Sequence, residues 1–199
     1  SGTLLYTDGT PAKSVVVSDG VSCVVTDSVG HYKLKRDKTS RFVFYTVPAD
    51  CEVPVHSSTD HTACFYLALS ASRSVYDFTL THLPEGRKET DYRMIVIGDP
   101  QVTNAVNPYY EGPDDNPVSK SDVARFTDET MVDIRRTISR MPAGVRVYGI
   151  SMGDDVQYYG GYNAALERQI RTALGASEMR LFSVIGNHDQ DGSALYKRK

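Results

Sequence analysis

The sequence predicts a small all-β sandwich followed by an α/β domain, of which the first βαβαβ portion is present. In residues 1–83, short apolar runs alternate with Asp-Gly and Ser-Val-Gly turns, without a helical period. In residues 92–199, three short apolar runs alternate with two segments that have the apolar spacing of helices. The stretch 84–91 is polar and contains both proline and glycine, which predicts an interdomain linker.

The sandwich is predicted from short strands at regular spacing, which are typical of that architecture. Apolar and aromatic residues cluster between the turns, and glycine at each turn accepts the positive φ that a hairpin needs. The predicted strands are Val15–Val17, Val21–Thr26, Tyr32–Leu34, Arg41–Val47 and the alternating residues Tyr76, Phe78 and Leu80.

The α/β domain is predicted to begin at Met94–Ile97. This run is fully apolar, as strands are when helices cover both faces of their sheet. Val145–Ser151 and Leu181–Ile185 predict two further strands. The order strand, helix, strand, helix, strand predicts a parallel sheet with right-handed crossovers.

Two helices are predicted between these strands. The first runs from about Ser121 to Arg140 and is stopped by Pro142 and Gly144. The second lies near Asn163 to Leu174, with Asn163 as its cap and Gly175 at its end. The predicted apolar face of the first helix consists of Val123, Phe126, Thr130, Ile134 and Ile138.

The composition is that of an ordinary globular chain and excludes some partners. Apolar residues make up 40% and charged residues 24%, and the formal net charge is −3. We therefore expect no nucleic-acid partner and, without an apolar run of about 18 residues, no membrane span. Cys23, Cys51 and Cys64 allow at most one internal disulfide, for which the short loop from Cys51 to Cys64 is the candidate; otherwise they are small buried apolar residues.

Each predicted strand of the α/β domain ends in polar residues. The strings are Gly-Asp-Pro-Gln at 98–101, Gly-Asp-Asp at 153–155 and Gly-Asn-His-Asp at 186–189. Because the carboxyl ends of parallel strands meet at one edge, these side chains are expected to converge. Carboxylate, amide oxygen and imidazole together suit Mn, Fe, Zn or Mg.

The residues around these strings resemble the first three signature blocks of the calcineurin-like metallophosphoesterases, over about 92–189. The resemblance implies a metallophosphoesterase that hydrolyses a phosphate mono- or diester with a metal-activated water, at a centre of two divalent ions. It implies that Asp99 binds metal one, that Asp154 bridges both metals and that Asn187 binds metal two. His188, next to Asn187 in the catalytic set, is implied to be a general acid or a donor to a phosphate oxygen, or else to orient a metal ligand by a hydrogen bond.

The chain departs from the commonest family pattern at Gln101, where most members carry His. The amide oxygen of Gln101 can still bind a metal, and it favours Mn, Mg or Fe over Zn. Strand alternation turns Asp155 away from its neighbour Asp154, so Asp155 is interpreted as a solvated or capping carboxylate.

The first domain is similar in texture to transthyretin-like or carboxypeptidase-regulatory-like sandwiches. Such domains precede the catalytic domain in a group of bacterial phosphoesterases, which implies a periplasmic or secreted location. Its four histidines have no ligand spacing and are interpreted as surface or loop residues: His31, His56, His61 and His82.

Two function classes stay open. The first is the phosphoesterase, with a phosphorylated small molecule or lipid as substrate; the second is a non-catalytic scaffold, a sandwich fused to a phosphoesterase remnant. A nucleotide-binding module is disfavoured, because no glycine-rich loop follows the first α/β strand. The resemblance implies further histidines and strands beyond the third block, so we expect an incomplete site, and a homo-oligomer or a missing C-terminal segment over the open sheet edge.

Overall fold

The computed structural model describes residues 1–86, 90–102, 122–156 and 164–189. It divides into two compact units, one made of Ser1–His56 and Ala63–Thr90, the other of Ser57–Thr62 and Asp91–Lys199. The described part of the chain is rich in sheet, with three sheets and few helices. The domain limits 1–83, 84–91 and 92–199 stay predictions.

The first unit contains two small sheets. A four-stranded antiparallel sheet has the order β3-β2-β5-β6, and a three-stranded sheet has the order β4-β1-β7, with β1 and β7 parallel. One core cluster contains side chains from both sheets. The strands are β1 (Gly2–Tyr6), β2 (Val16–Ser18), β3 (Cys23–Val25), β4 (His31–Tyr32), β5 (Phe42–Tyr45), β6 (Tyr66–Ala68) and β7 (Phe78–Leu80).

Each predicted strand of the first unit overlaps a strand of the structure, but two strands were not predicted. These are β1 and β6. β1 pairs with β7, so that Leu4 lies opposite Phe78, far along the chain. Such a non-local pair leaves no hairpin signal in the sequence.

The second unit contains a parallel sheet of the order β10-β9-β8, and its parallel pairing agrees with the prediction. The helices that follow β8 and β9 contribute to one core cluster with these strands. Asn163, predicted as a helix cap, lies outside the described residues. The elements are β8 (Tyr92–Ile97), α1 (Asp122–Arg125), a π-helical turn (Phe126–Thr130), α2 (Met131–Ser139), β9 (Arg146–Ser151), α3 (Ala164–Gly175) and β10 (Arg180–Ser183).

The prediction that helices cover both faces of this sheet is wrong for the described residues. Ile95 and Ile97 of β8 pack into the helical core, whereas Met94 and Val96 on the other face are 49% and 60% exposed. The strands follow one another in space without reversal, and right-handed crossovers then place successive helices on the same face. An oligomer or a further chain segment over the sheet stays a prediction.

The apolar face predicted for the first helix is wrong at Thr130, which is exposed. Met131 is buried in its place, at 1% exposure. The reason is the π-helical turn, in which the N–H of Met131 donates to the carbonyl of Phe126, five residues earlier. The wider turn moves the buried position by one residue.

The segment Ser57–Thr62 belongs to the second unit, although both of its flanks belong to the first. Its backbone lies beside β10, because Thr62 forms a parallel bridge with Leu181 and the N–H of Leu181 donates to the carbonyl of His61 at 3.0 Å. The N–H of His61 donates to the carbonyl of Gly175 at 2.7 Å, and its ring contacts the carbonyl of Ser177. The interpretation of His61 as a surface or loop residue does not include this role.

The three cysteines are free in the structure, so the candidate bridge from Cys51 to Cys64 is not formed. Cys51 is buried, as expected of a small apolar residue, but Cys23 is exposed. Burial first, and then the neighbouring charge of Asp50, raise the pKa of the Cys51 thiol to about 12. Within the described ranges, no helix has both the length and the apolar character that a membrane crossing requires.

The turn between β2 and β3 depends on the buried carboxylate of Asp19. One oxygen accepts the N–H groups of Val21 and Ser22 at 3.1 and 2.8 Å, and the other accepts the N–H of Asp37 at 2.9 Å. Burial alone would raise the pKa of Asp19, but these donors lower it from 3.8 to about 2. The ionised carboxylate therefore stabilises the folded state.

We expect Asp19→Asn to lower the free energy of unfolding by about 2 kcal/mol at pH 7. The folded-state pKa is depressed, so the contribution is present above 3.8 and is lost as the pH falls towards about 2. Urea unfolding of wild type and variant across this range measures the difference. Asp8→Asn, at an exposed turn carboxylate, is the control with a smaller effect. A constant difference down to pH 2 would contradict this account.

Candidate functional site

The three predicted polar strand tips lie together at one edge of the parallel sheet. Beyond β8 and β9 the backbone stays paired: Val102 forms a parallel bridge with Val156, and the N–H of Gln101 donates to the carbonyl of Asp154 at 2.8 Å. Beyond β10, the N–H of Val184 donates to the carbonyl of Ser151 at 3.0 Å. The convergence expected from parallel strands is therefore present.

Asp154 contacts both neighbouring tips. Its carbonyl accepts the N–H of Gln101, and its side-chain oxygen Oδ1 accepts the N–H of His188 at 2.6 Å. The residue is half-buried, as are Gln101 and His188, whereas Asp99 and Asn187 are exposed. The structure thus groups the five predicted site residues on three adjacent tips, with Asp154 in the middle.

Three of the predicted metal ligands have strained backbones. Asp99, Gln101 and Asp154 have φ values of 54°, 42° and 53°, in the left-handed region that non-glycine residues rarely adopt. Each such residue costs about 1 kcal/mol or more and persists because its surroundings hold it there. Strain of this kind is typical of functional sites. These three residues are among the five non-glycine positions with positive φ in the described residues.

The glycines before the three tips serve different purposes. Gly153 has a φ of +92°, which a side chain would strain. At Gly186, a Cβ would lie 2.0 Å from Oδ1 and 2.2 Å from the backbone nitrogen of Asp154. At Gly98, a Cβ would meet no atom within 4 Å. The close approach of the β9 and β10 tips therefore requires glycine at 186. No close contact requires glycine at 98.

Asp189 holds these tips in place, a role that the sequence analysis did not predict. The residue is 6% exposed. Its Oδ2 accepts the N–H groups of Asp154 and Gly186, both at 2.8 Å, and its Oδ1 accepts the N–H of Val156 at 3.1 Å. The only signal in the sequence was a carboxylate directly after the Asn-His pair, which is compatible with a turn residue as well.

The interpretation of Asp155 as a solvated or capping carboxylate is wrong. The side chain is 1% exposed, and Oδ1 accepts the hydroxyl of Ser151. Burial raises the pKa of Asp155, the hydroxyl of Ser151 opposes that effect, and the charge of Asp189 adds to it. The side chain is therefore buried within the unit and does not face solvent.

The donor set at the edge fits a hard or borderline divalent cation, because it offers carboxylate and amide oxygens and one imidazole. The one group of three acidic, cysteine or histidine side chains whose donor atoms lie within 4.8 Å of one another in the described part of the chain is elsewhere, at Asp50, Cys51 and His82. The sequence does not indicate this group, since His82 lies far along the chain from Asp50 and Cys51.

Comparison with known families supports one assignment. Residues 1–83 match the family model described as the N terminal of calcineurin-like phosphoesterase. The match supports this hydrolase family, whose members use divalent metals. No curated protein and no solved structure matches the chain. The match ends before the strand tips begin, so it is independent of the motifs on them.

We expect Gly186→Ala to disrupt the edge, because the added Cβ would collide with the Asp154 carboxylate and backbone. Overpacking of this kind costs about 1–3 kcal/mol. Hydrogen exchange followed by mass spectrometry should show faster exchange over residues 152–156 and 186–189. The matched control is Gly98→Ala, where space is open and the expected change is within about 0.5 kcal/mol. Equal exchange in the two variants would contradict this view of the edge.

Proposed function

We propose that this chain carries the catalytic edge of a metal-dependent phosphoesterase, which hydrolyses a phosphate mono- or diester with water. The observation that carries the proposal is the position of Asp154, which is hydrogen-bonded to the tips on both sides of it. A carboxylate in that position is suited to serve two cations at once. The family match of residues 1–83 supports the same activity from a different part of the chain.

Each tip has its own role in the proposal. Asp99 and Gln101 would hold the first cation, Asn187 the second, and Asp154 both. Bound divalent cations would supply Lewis-acid activation of water and of the phosphate oxygens. The amide oxygen of Gln101 and the absence of a thiol among the described edge residues favour Mn, Fe or Mg over Zn.

The chain itself orients these ligands. The N–H of His188 donates to Oδ1 of Asp154 and so restrains the carboxylate. The N–H of Asp154 is held in turn by Asp189. The half-buried His188 would donate a proton to a leaving oxygen or bind a phosphate oxygen.

Further parts of the proposal come from the resemblance and extend beyond the edge itself. The substrate would be a phosphorylated small molecule or lipid. The two-domain arrangement would be a transthyretin-like sandwich before the phosphoesterase domain, in a periplasmic or secreted bacterial protein. The scaffold alternative makes the opposite prediction for the edge, because a remnant site need not bind metal.

We expect Asp154→Asn to reduce bound Mn²⁺ and the rate of aryl phosphate hydrolysis far more than Asp155→Asn does. Loss of groups that only orient a ligand costs about 10–100-fold, so loss of the shared ligand should cost at least about 100-fold. Mn²⁺ binding is measured by electron paramagnetic resonance. Turnover is measured as the rate of hydrolysis of phosphate mono- and diester substrates.

Asp155→Asn is the matched control, because the change is the same and the side chain is buried and outside the proposed ligand set. Equal losses in the two variants would show that Asp154 is not the shared ligand. Mn²⁺ binding that depends on Asp154 without turnover would support a metal-binding edge and contradict catalysis by this chain. Absence of Mn²⁺ binding in the folded wild type would favour the scaffold.

A further inference from the structure

Asp50, Cys51 and His82 form a cluster in the first unit that the proposed phosphoesterase activity does not use. Two chain segments, around Cys51 and His82, run antiparallel and are held by backbone hydrogen bonds. The N–H of Glu52 donates to the carbonyl of Thr81, and the N–H of Leu83 to that of Asp50, both at 2.8 Å. Cys51 and His82 are paired between these two bonds. The backbone of the cluster is therefore fixed on both sides.

The donor atoms of the cluster lie close together, at separations somewhat wider than those of bound metal ligands. Sγ of Cys51 lies 3.7 Å from Oδ1 of Asp50, and Nδ1 of His82 lies 3.8 Å from Oδ2 of Asp50. One donor atom from each residue lies within 4.8 Å of the others. In tetrahedral zinc sites, metal–ligand bonds of about 2.0–2.3 Å place the ligand atoms about 3.3–3.6 Å apart. Side-chain shifts of up to about 1 Å would close the cluster around an ion.

The orientation of the imidazole is supported by a neighbouring aromatic ring. Tyr6 stacks on His82, with ring centroids 3.9 Å apart and an angle of 18° between the planes. Tyr6 pairs with Leu80, two residues before His82, so the two rings come from adjacent strands. This stacking contacts the face of the imidazole, so a ring nitrogen can bind an ion in the plane of the ring.

We propose that Asp50, Cys51 and His82 bind one zinc-class divalent cation in the first unit. Cys51 is buried, whereas the side chains of Asp50 and His82 are 40% and 45% exposed, so the ion would have an apolar side and a solvent side. Three protein ligands leave the fourth tetrahedral position for water. The thiol proton of Cys51 passes to solvent when the thiolate binds the ion.

The ligand types select the metal. Thiolate and imidazole favour Zn²⁺ over Mg²⁺, Ca²⁺ or Mn²⁺, which prefer oxygen. A plain surface ion pair is the competing explanation of the Asp50–His82 contact. The same unit contains a pair of that kind, since Nδ1 of His31 lies 4.0 Å from Oδ2 of Asp27, with both side chains about half exposed. That pair has no cysteine and is outside the one donor group found among the described residues.

The test is a titration of the metal-free 199-residue chain with Co²⁺, followed by displacement with Zn²⁺. Co²⁺ bound to a thiolate has a charge-transfer absorption band, which a cation at the oxygen-rich strand tips cannot produce. We expect one equivalent of Co²⁺ to generate this band and Zn²⁺ to remove it. Cys51→Ser should abolish the band, and Cys23→Ser should leave it unchanged.

The affinity of the site is tested at its exposed residues, whose replacement is compatible with folding. His82→Ala and Asp50→Asn should each weaken Co²⁺ binding by more than about tenfold. His31→Ala and Asp27→Asn are the matched controls and should have no effect, with circular dichroism as the check on folding. The proposal is overturned if folded wild type gives no thiolate band, if Cys51→Ser retains it, or if His82→Ala and His31→Ala have equal effects. Asp154→Asn should leave the band intact, so a failure of the proposed phosphoesterase activity is separate from a failure here.

Discussion

The buried carboxylate of Asp189 is the interaction on which the strand-tip edge depends. Three backbone N–H groups, from Asp154, Val156 and Gly186, would lose this acceptor if the carboxylate were absent. A buried donor without a partner costs about 1–3 kcal/mol. One carboxylate with two oxygens satisfies all three, which no neutral side chain of the same size does. The approach of the β9 and β10 tips is therefore stabilised by a residue outside the predicted ligand set.

The hydrogen bonds of Asp189 also help to explain how backbone strain is maintained at the edge. Asp99, Gln101 and Asp154 adopt left-handed φ values that would relax in a free loop. Paired backbone holds Gln101 and Val102 against the segment after β9, and Asp189 holds that segment against the tip of β10. Gln101 and Asp154 are thus each fixed by partners from a neighbouring strand. Side chains positioned in this way lose little freedom when a ligand binds, which is the physical basis of preorganisation.

The sequence was sufficient to predict features that depend on local pattern, and insufficient for those that depend on distant contacts. Parallel pairing of β8, β9 and β10 follows from alternating apolar runs and helices, and the grouping of Asp99, Asp154 and Asn187 follows from that pairing. β1 was missed because its partner is distant along the chain, and Met131 because a π-helical turn has no distinct composition. Burial of Asp155 also depends on which residues surround it, which a pattern of alternation does not reveal.

The same contrast separates the two candidate metal sites. The edge residues can be predicted from their positions in the sequence, because each follows a strand whose end must lie beside the ends of its neighbours. No sequence pattern predicts the cluster of Asp50, Cys51 and His82, since Cys51 and His82 pair only when the first unit folds. Their chemistry differs as well: oxygen donors dominate at the edge, whereas the first unit offers a thiol and an imidazole. Hard cations such as Mn²⁺ and Mg²⁺ should therefore prefer the edge and zinc-class ions the cluster, so that one chain could bind both classes at once by ligand type alone.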